Sequence, residues 1–215
     1  MGSKDVEIMA DVFAENNRIA DEVGQTLRYM GIYAVNIIGA PGAGKTSCLL
    51  RVIEGLGGAR CAVIEGDIQS NIDSDRLKAL GIETAQIHTG GACHIDGVLI
   101  KNTLRKMALD ATDVLFIENI GNLVCPAEFN IGENIKMLIV TAADGADKPY
   151  KYPLAFEKAG VILLNKVDLL PYVDFDMEYF TSGVRALNPD APVFSVSAKN
   201  GDGFTEVCAW LKSRL

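Results

Sequence analysis

Gly39-Ala-Pro-Gly-Ala-Gly-Lys-Thr46 constrains this chain more than any other stretch. It fits the spacing G-x-x-x-x-G-K-[ST] and follows the apolar run Tyr33–Ile38, which predicts a buried strand; from Thr46 to Arg51 a helical pattern opens. Strand, glycine-rich turn and helix in that order wrap backbone N–H groups around phosphate oxygens, with the positive end of the helix dipole behind them. Gly39, Gly42, Ala43, Gly44, Lys45, Thr46 and Ser47 are the residues expected to line such a cradle. Within it Lys45 reaches the β- and γ-phosphates as a catalytic cation, and the Thr46 hydroxyl is placed to ligate Mg²⁺.

The rest of the chain extends that unit into an α/β fold. Short β-rich runs recur at Cys61–Ile64, Ala85–Ile87, Val114–Ile117, Met137–Val140, Val161–Leu164 and Val193–Ser195, with helical patterns at Val98–Leu109, Phe175–Leu187 and Phe204–Leu215. The alternation predicts a mostly parallel sheet of about seven strands with helices on both faces, the three-layer Rossmann-like arrangement of P-loop NTPases. Helical spacing of Met9, Phe13, Ile19, Val23 and Leu27 predicts a helical lead-in over about 5–30. At 215 residues, without repeats or a linker-like tract, 1–215 reads as a single domain. A net charge of −8 with no basic block argues against nucleic acid as a partner. No apolar run reaches membrane-spanning length and no signal-peptide pattern follows the first residues, while five scattered cysteines suit a reducing compartment, so a cytoplasmic protein without membrane attachment is expected.

Two later segments specify the base. Asn165-Lys166-Val167-Asp168 directly follows the run Val161–Leu164 and fits N-K-x-D of GTPases. The Asp168 carboxylate can accept from both N1–H and the exocyclic amine of guanine, a paired donor edge that adenine lacks, and an unpaired buried carboxylate is costly enough to discriminate. The Lys166 stem can lie along the base, and Asn165 can tie this loop to the P-loop. Ser197-Ala198-Lys199 after the last strand resembles the S-A-K loop that supports the guanine carbonyl. Bound GTP or GDP is the expectation.

Acids at strand ends come next. Glu118-Asn119-Ile120-Gly121 stands where GTPases carry D-x-x-G, so Glu118 is expected on Mg²⁺ and Gly121 at the γ-phosphate. Asp67, in Glu65-Gly66-Asp67, is the second candidate for Mg²⁺ or the attacking water; Asp73 and Asp75 belong to a switch or to a solvated helix face. Gly91-Ala92-Cys93-His94-Ile95-Asp96 sets a thiol beside an imidazole, and Cys125 lies further on in Gly121–Pro126. Such donors suit Zn²⁺, Ni²⁺ or Cu, but the spacing matches no metal pattern, and on spacing alone the residues read rather as small buried hydrophobes, Cys93 and Cys125, with His94 a polar residue at a helix start. His88, Cys48, Cys61 and Cys208 lie in apolar segments and read as structural.

Taken together, Gly39–Thr46, Glu65–Asp67, Gly90–Asp96, Glu118–Pro126, Asp147-Lys-Pro-Tyr-Lys-Tyr-Pro153 and Asn165–Asp168 resemble the HypB family, GTPases for hydrogenase nickel incorporation, from about residue 15 onward. The resemblance implies that Cys93, His94 and Cys125 ligate nickel or zinc at a subunit interface. It also implies a homodimer in the GTP state, and partners in a HypA-type maturation protein and the hydrogenase large subunit. Lys148 falls in a segment serving nucleotide or dimer. Met1–Asn17 lacks the histidine-rich or C-x-x-C nickel motif of many bacterial members, so a storage role is not expected. Two other readings of the same residues are a maturation chaperone for a different metallocentre, of urease or a cobalamin enzyme, and a GTP-locked adaptor holding structural zinc.

Overall fold

The computed structural model describes the backbone of residues 3–66, 77 and 81–215, and side chains from residue 11 onward within that set. Asp67, Asp73 and Asp75 lie outside the described residues.

Runs that are apolar on both faces of a strand must be covered on both sides, and that requirement sets the architecture. Among the described residues β1 (Tyr33–Gly39), β2 (Cys61–Glu65), β3 (Glu83–Gln86), β4 (Val114–Glu118), β5 (Ile135–Thr141), β6 (Val161–Asn165) and β7 (Val193–Ser195) form one sheet in the order β3-β2-β4-β1-β5-β6-β7. Every ladder in it is parallel. Alternation along β1 divides the core. Val35 and Ile37 pack with Cys48, Leu49 and Val52 of α2 (Lys45–Leu56) and with Val207 and Leu211 of α8 (Phe204–Lys212).

On the opposite face Ala34 joins Val23 and Leu27 of α1 (Ser3–Tyr29) and Ile100 of α3 (Gly97–Leu104). Further along that face Ile38 packs with Phe156 of α6 (Pro153–Glu157) and with Phe180 and Val184 of α7 (Met177–Leu187). Two one-turn helices, α4 (Cys125–Glu128) and α5 (Lys148–Lys151), and 3-10 turns at Ala142–Asp144 and Val167–Tyr172 complete the named helical segments among the described residues.

The lead-in is one continuous helix. Ile19, Ala20, Val23 and Leu27, spaced for one face, are buried at 7% exposure or less, while Arg18 on the opposite face pairs with Glu15 and Glu22. Exposed pairs of this kind add only about 0.3–0.5 kcal/mol each, so the buried stripe decides where α1 lies. Asn16, 6% exposed, accepts from Gly97 N–H at 2.9 Å and donates to the Asn130 carbonyl at 2.8 Å, fastening α1 to the start of α3.

The pattern over Val98–Leu109 continues past the end of α3, for α-helical bonding stops at Leu104. Lys106 and Met107 bond instead to Thr103 and Leu104, three residues back, and the tighter turn brings Leu109 into the core ahead of β4. Because β1 is flanked by β4 and β5, the carboxyl ends of these central strands open a crevice, the usual ligand position in such sheets.

Candidate nucleotide and metal site

The P-loop crosses the end of β1 and enters α2 at Lys45, which is 6% exposed. Gly44 has φ +89°, and a Cβ there would fall 2.6 Å from Asn165 Nδ2, so only glycine lets the loop close against β6. That amide does what was expected of it and more: Nδ2 donates to the Ala43 carbonyl at 2.9 Å, while Oδ1 accepts from Ala198 N–H at 3.1 Å. One side chain, 1% exposed, thus joins the phosphate loop to the Ser197–Lys199 loop.

Lys166 adopts the left-handed conformation at φ 60° and lays its stem over the P-loop, Nζ donating to the Gly42 carbonyl at 2.8 Å. Asp168 Oδ1 accepts from Ser197 Oγ at 2.7 Å, which fixes the carboxylate at the mouth of the crevice. The sequence pattern missed Arg51, whose Nε and Nη2 donate to the carbonyls of Ala198 and Lys199 at 2.9 and 3.1 Å. No motif marks it; its place on the outer turn of α2 is what aims it at that loop.

On the phosphate side Thr46 Oγ donates to Glu118 Oε1 at 2.9 Å, and Glu118 is 6% exposed. Hydroxyl and carboxylate oxygens at the end of a P-loop are a hard donor set suited to Mg²⁺. Glu118 stands in register with Ile37 of β1 on one side and Glu65 of β2 on the other. Gly121 lies against the P-loop, where a Cβ would come within 3.0–3.1 Å of Pro41. The next residue, Asn122, forms an antiparallel bridge with Gly39.

Cys93, His94 and Cys125 come together although 32 residues separate the two thiols. Their donor atoms lie within 4.8 Å of one another; Cys93 Sγ is 3.1 Å from Cys125 Sγ and 3.6 Å from His94 Nδ1. Cys93 is exposed and Cys125 partly so, unlike small core hydrophobes. Partial burial holds the His94 imidazole below its usual pKa, against the opposing pull of Asp96 and Glu128, and so favours the neutral ligand form. The hydrogen bond from Cys93, with burial second, raises the Cys125 thiol; Asn122 pulls it the other way.

The ring of Phe129, just past α4, stacks on His94 at 3.8 Å between centroids, a contact that sequence spacing gave no means of finding. The remaining cysteines are ordinary core groups: burial pushes Cys48 up to about 12 and Cys61 up to about 11, and raises Cys208. His88, expected within an apolar segment, is exposed, because Ile87 beside it carries the burial. Lys148 Nζ sits 5.3 Å over the Tyr152 ring, and its neighbour Asp147 pairs with Lys151 at 2.5 Å. No described helix is long and apolar enough to cross a membrane.

Residues 33–195 match the CobW/HypB/UreG nucleotide-binding domain. Over 211 residues the chain is 43% identical to hydrogenase maturation factor HypB of Azotobacter vinelandii, covering 98% of this chain and 70% of the relative. The structure of HypB from Helicobacter pylori in complex with nickel superposes with a TM-score of 0.87 at 31% identity, over 93% of this chain and 94% of that one. For HypB from Archaeoglobus fulgidus the TM-score is 0.88 at 38% identity, over 94% and 98%. Motifs, sheet order and these likenesses agree: the chain belongs to the HypB family of hydrogenase maturation factors, within the CobW/HypB/UreG group of nucleotide-binding domains.

Proposed function

We propose that this chain is a GTP-hydrolysing metallochaperone that delivers nickel during hydrogenase maturation, with its metal donors gated by the nucleotide. The observation that carries the reading is a single short segment. Glu118, bonded to Thr46, opens it, Gly121 leans on the P-loop within it, and Cys125, one of three clustered soft donors, closes it. A γ-phosphate contact at Gly121 and a metal ligand four positions later cannot move independently.

Asp168 reads guanine, Lys45 meets the β- and γ-phosphates, and Thr46 with Glu118 holds Mg²⁺, which neutralises charge on the transferring phosphoryl group. Asp67 joins Glu118 as the acid for Mg²⁺ or water. The metal at Cys93, His94 and Cys125 is cargo. Three protein ligands leave a tetrahedral position for a second copy of the chain in a GTP-state homodimer, or for an accepting protein of the HypA type or the hydrogenase large subunit.

Nickel and zinc titrations in GDP and in a non-hydrolysable GTP analogue test the reading. Metal affinity is expected to differ between the two nucleotides, and Cys93→Ala and Cys125→Ala are each expected to lose tight binding. Equal affinity in both nucleotides, with both variants unaffected, would sink it.

Base recognition has its own test. Asp168→Asn keeps the acceptor for Ser197 Oγ but loses the charge that pairs with the guanine N1–H and amine. GTP affinity should fall by about 10–150-fold, the worth of about 1.5–3 kcal/mol for a charged hydrogen bond, and xanthosine triphosphate, with a carbonyl where guanine has its amine, should gain. Calorimetric titration showing unchanged GTP affinity would remove Asp168 from the base site.

A further inference from the structure

Cys93 and His94 sit on the loop after β3 and Cys125 on the segment after β4, so contacts between these two stretches can carry a mechanical link between nucleotide and metal. Beside the Cys93–Cys125 approach and the His94–Phe129 stack, two asparagines make such contacts. Asn119 directly follows Glu118 and is 1% exposed. Its Oδ1 accepts from Ile95 N–H at 3.2 Å and from Ile120 N–H at 2.9 Å, and its Nδ2 donates to Asn36 Oδ1 at 3.2 Å, on the strand that leads into the P-loop. Asn122 follows Gly121. Its Nδ2 donates to the Cys93 carbonyl at 3.2 Å, its Oδ1 accepts from Val124 N–H at 2.9 Å, and its backbone bridges Gly39.

The Cys93 carbonyl and the Ile95 amide flank His94. His94 therefore hangs, at both ends, from amide side chains placed on either side of Ile120-Gly121, and Cys93 is held at its carbonyl. We infer that Asn119 and Asn122 are positioning residues that transmit the state of the nucleotide to the metal donors.

The physical case rests on burial and on divided bonding. The Asn119 amide has no water to exchange partners with, so a shift of Glu118–Gly121 toward a γ-phosphate must carry the Ile95 N–H with it or leave buried polar groups unpaired, which costs about 1–3 kcal/mol per group. Asn122 divides its two ends between the metal loops: one holds Cys93, the other the residue before Cys125. A rotation of that side chain changes the separation of the two thiols, and with it the fit to a cation that wants a fixed metal–sulfur distance. Asparagines serving only to fold these loops would support metal binding equally in every nucleotide state.

The inference rests on the GTP-gated reading above, and one set of measurements separates the two. Nickel affinity is measured by titrating Ni²⁺ into the full chain with GDP and with a non-hydrolysable GTP analogue, first unmodified and then as Asn122→Ala, whose partly exposed side chain makes loss of fold the smaller risk. The unmodified ratio, on the order of 5–150-fold if the sites are coupled, should collapse to within about twofold of unity in the variant. A ratio of one in the unmodified chain would defeat gating itself, and this inference with it. A ratio that survives in a nickel-binding Asn122→Ala would overturn the role of Asn122 alone.

Asn119→Ala is read the same way. Should it not fold, amide exchange at Ile95 in the unmodified chain decides: protection should change by about tenfold or more between the two nucleotides, and identical exchange would overturn the role of Asn119.

Discussion

Replacing Lys45 with alanine is expected to lower GTP turnover by on the order of 10²–10³-fold, the usual effect of removing one preorganised charge from a reacting group. Turnover should collapse while the fold does not. Lys45, 6% exposed, stands in the first turn of α2, where the helix dipole is already positive, so the nucleotide-free chain carries an unfavourable juxtaposition that phosphate relieves. Lys45→Ala should accordingly melt at or above the temperature of the unmodified chain without nucleotide, and should lose most of the upward shift that GTP confers by mass action. Phosphate-release kinetics and thermal melts with and without nucleotide check both halves. Turnover within tenfold of the unmodified rate would remove Lys45 from catalysis, and a lowered melting temperature without nucleotide would show that the residue also supports the fold.

The position of that lysine was legible from sequence because it is written in backbone constraints: a strand, glycines that admit close approach, a helix start. The same holds for Asn165 at the end of β6, whose amide reaches the loop after β7 on one side and the P-loop after β1, two strands away, on the other. Strand identity was legible too; β3 and β5 begin two residues earlier than expected, and the carboxyl ends moved by one residue, as where Glu65, Glu118 and Asn165 are polar yet still occupy the ladder. Hydropathy falls at Ile117, whereas the ladder of β4 runs on through Glu118.

Less of the metal site could be read. Spacing says nothing about two loops separated by α3 and β4, and it took the resemblance to HypB to group Cys93, His94 and Cys125. Phe129 on His94 and Arg51 on the Ser197–Lys199 loop carry no local signal whatever, since each acts across more than thirty residues of chain. Asn119 and Asn122 were visible as letters in a motif, but a buried amide's partners are set by tertiary packing, which sequence pattern does not encode.

Glu133→Ala should be among the most destabilising single changes in the molecule. Glu133 and Lys136 form an ion pair whose side chains are only 4% and 11% exposed. The carboxylate also accepts from Asn36 Nδ2 at 3.1 Å and from Ile131 N–H at 2.8 Å, and the ammonium donates to the Phe129 carbonyl at 2.7 Å. Truncating the acid strands a buried ammonium, for which about 3–5 kcal/mol is the usual cost. In a domain of this size that lowers the melting temperature by about 6–20 °C.

Burial of the pair is not in itself a source of stability, so Glu133→Leu combined with Lys136→Met should be more stable than Glu133→Ala alone. It should still fall short of the unmodified chain, because the double change takes the partners of the Asn36 amide, the Ile131 N–H and the Phe129 carbonyl together. The position of the pair extends the consequence to the metal. Lys136 anchors the backbone of Phe129, whose ring packs on His94, and Asn36 stands behind Asn119. Lys136→Met is therefore expected to weaken nickel binding by about 10–100-fold, the scale on which groups behind a ligand act, with GTP affinity little changed. Equal losses of both affinities would mean that the pair only holds the fold together; loss confined to nickel would mean that the metal donors are held from below the sheet edge as well as from the nucleotide side.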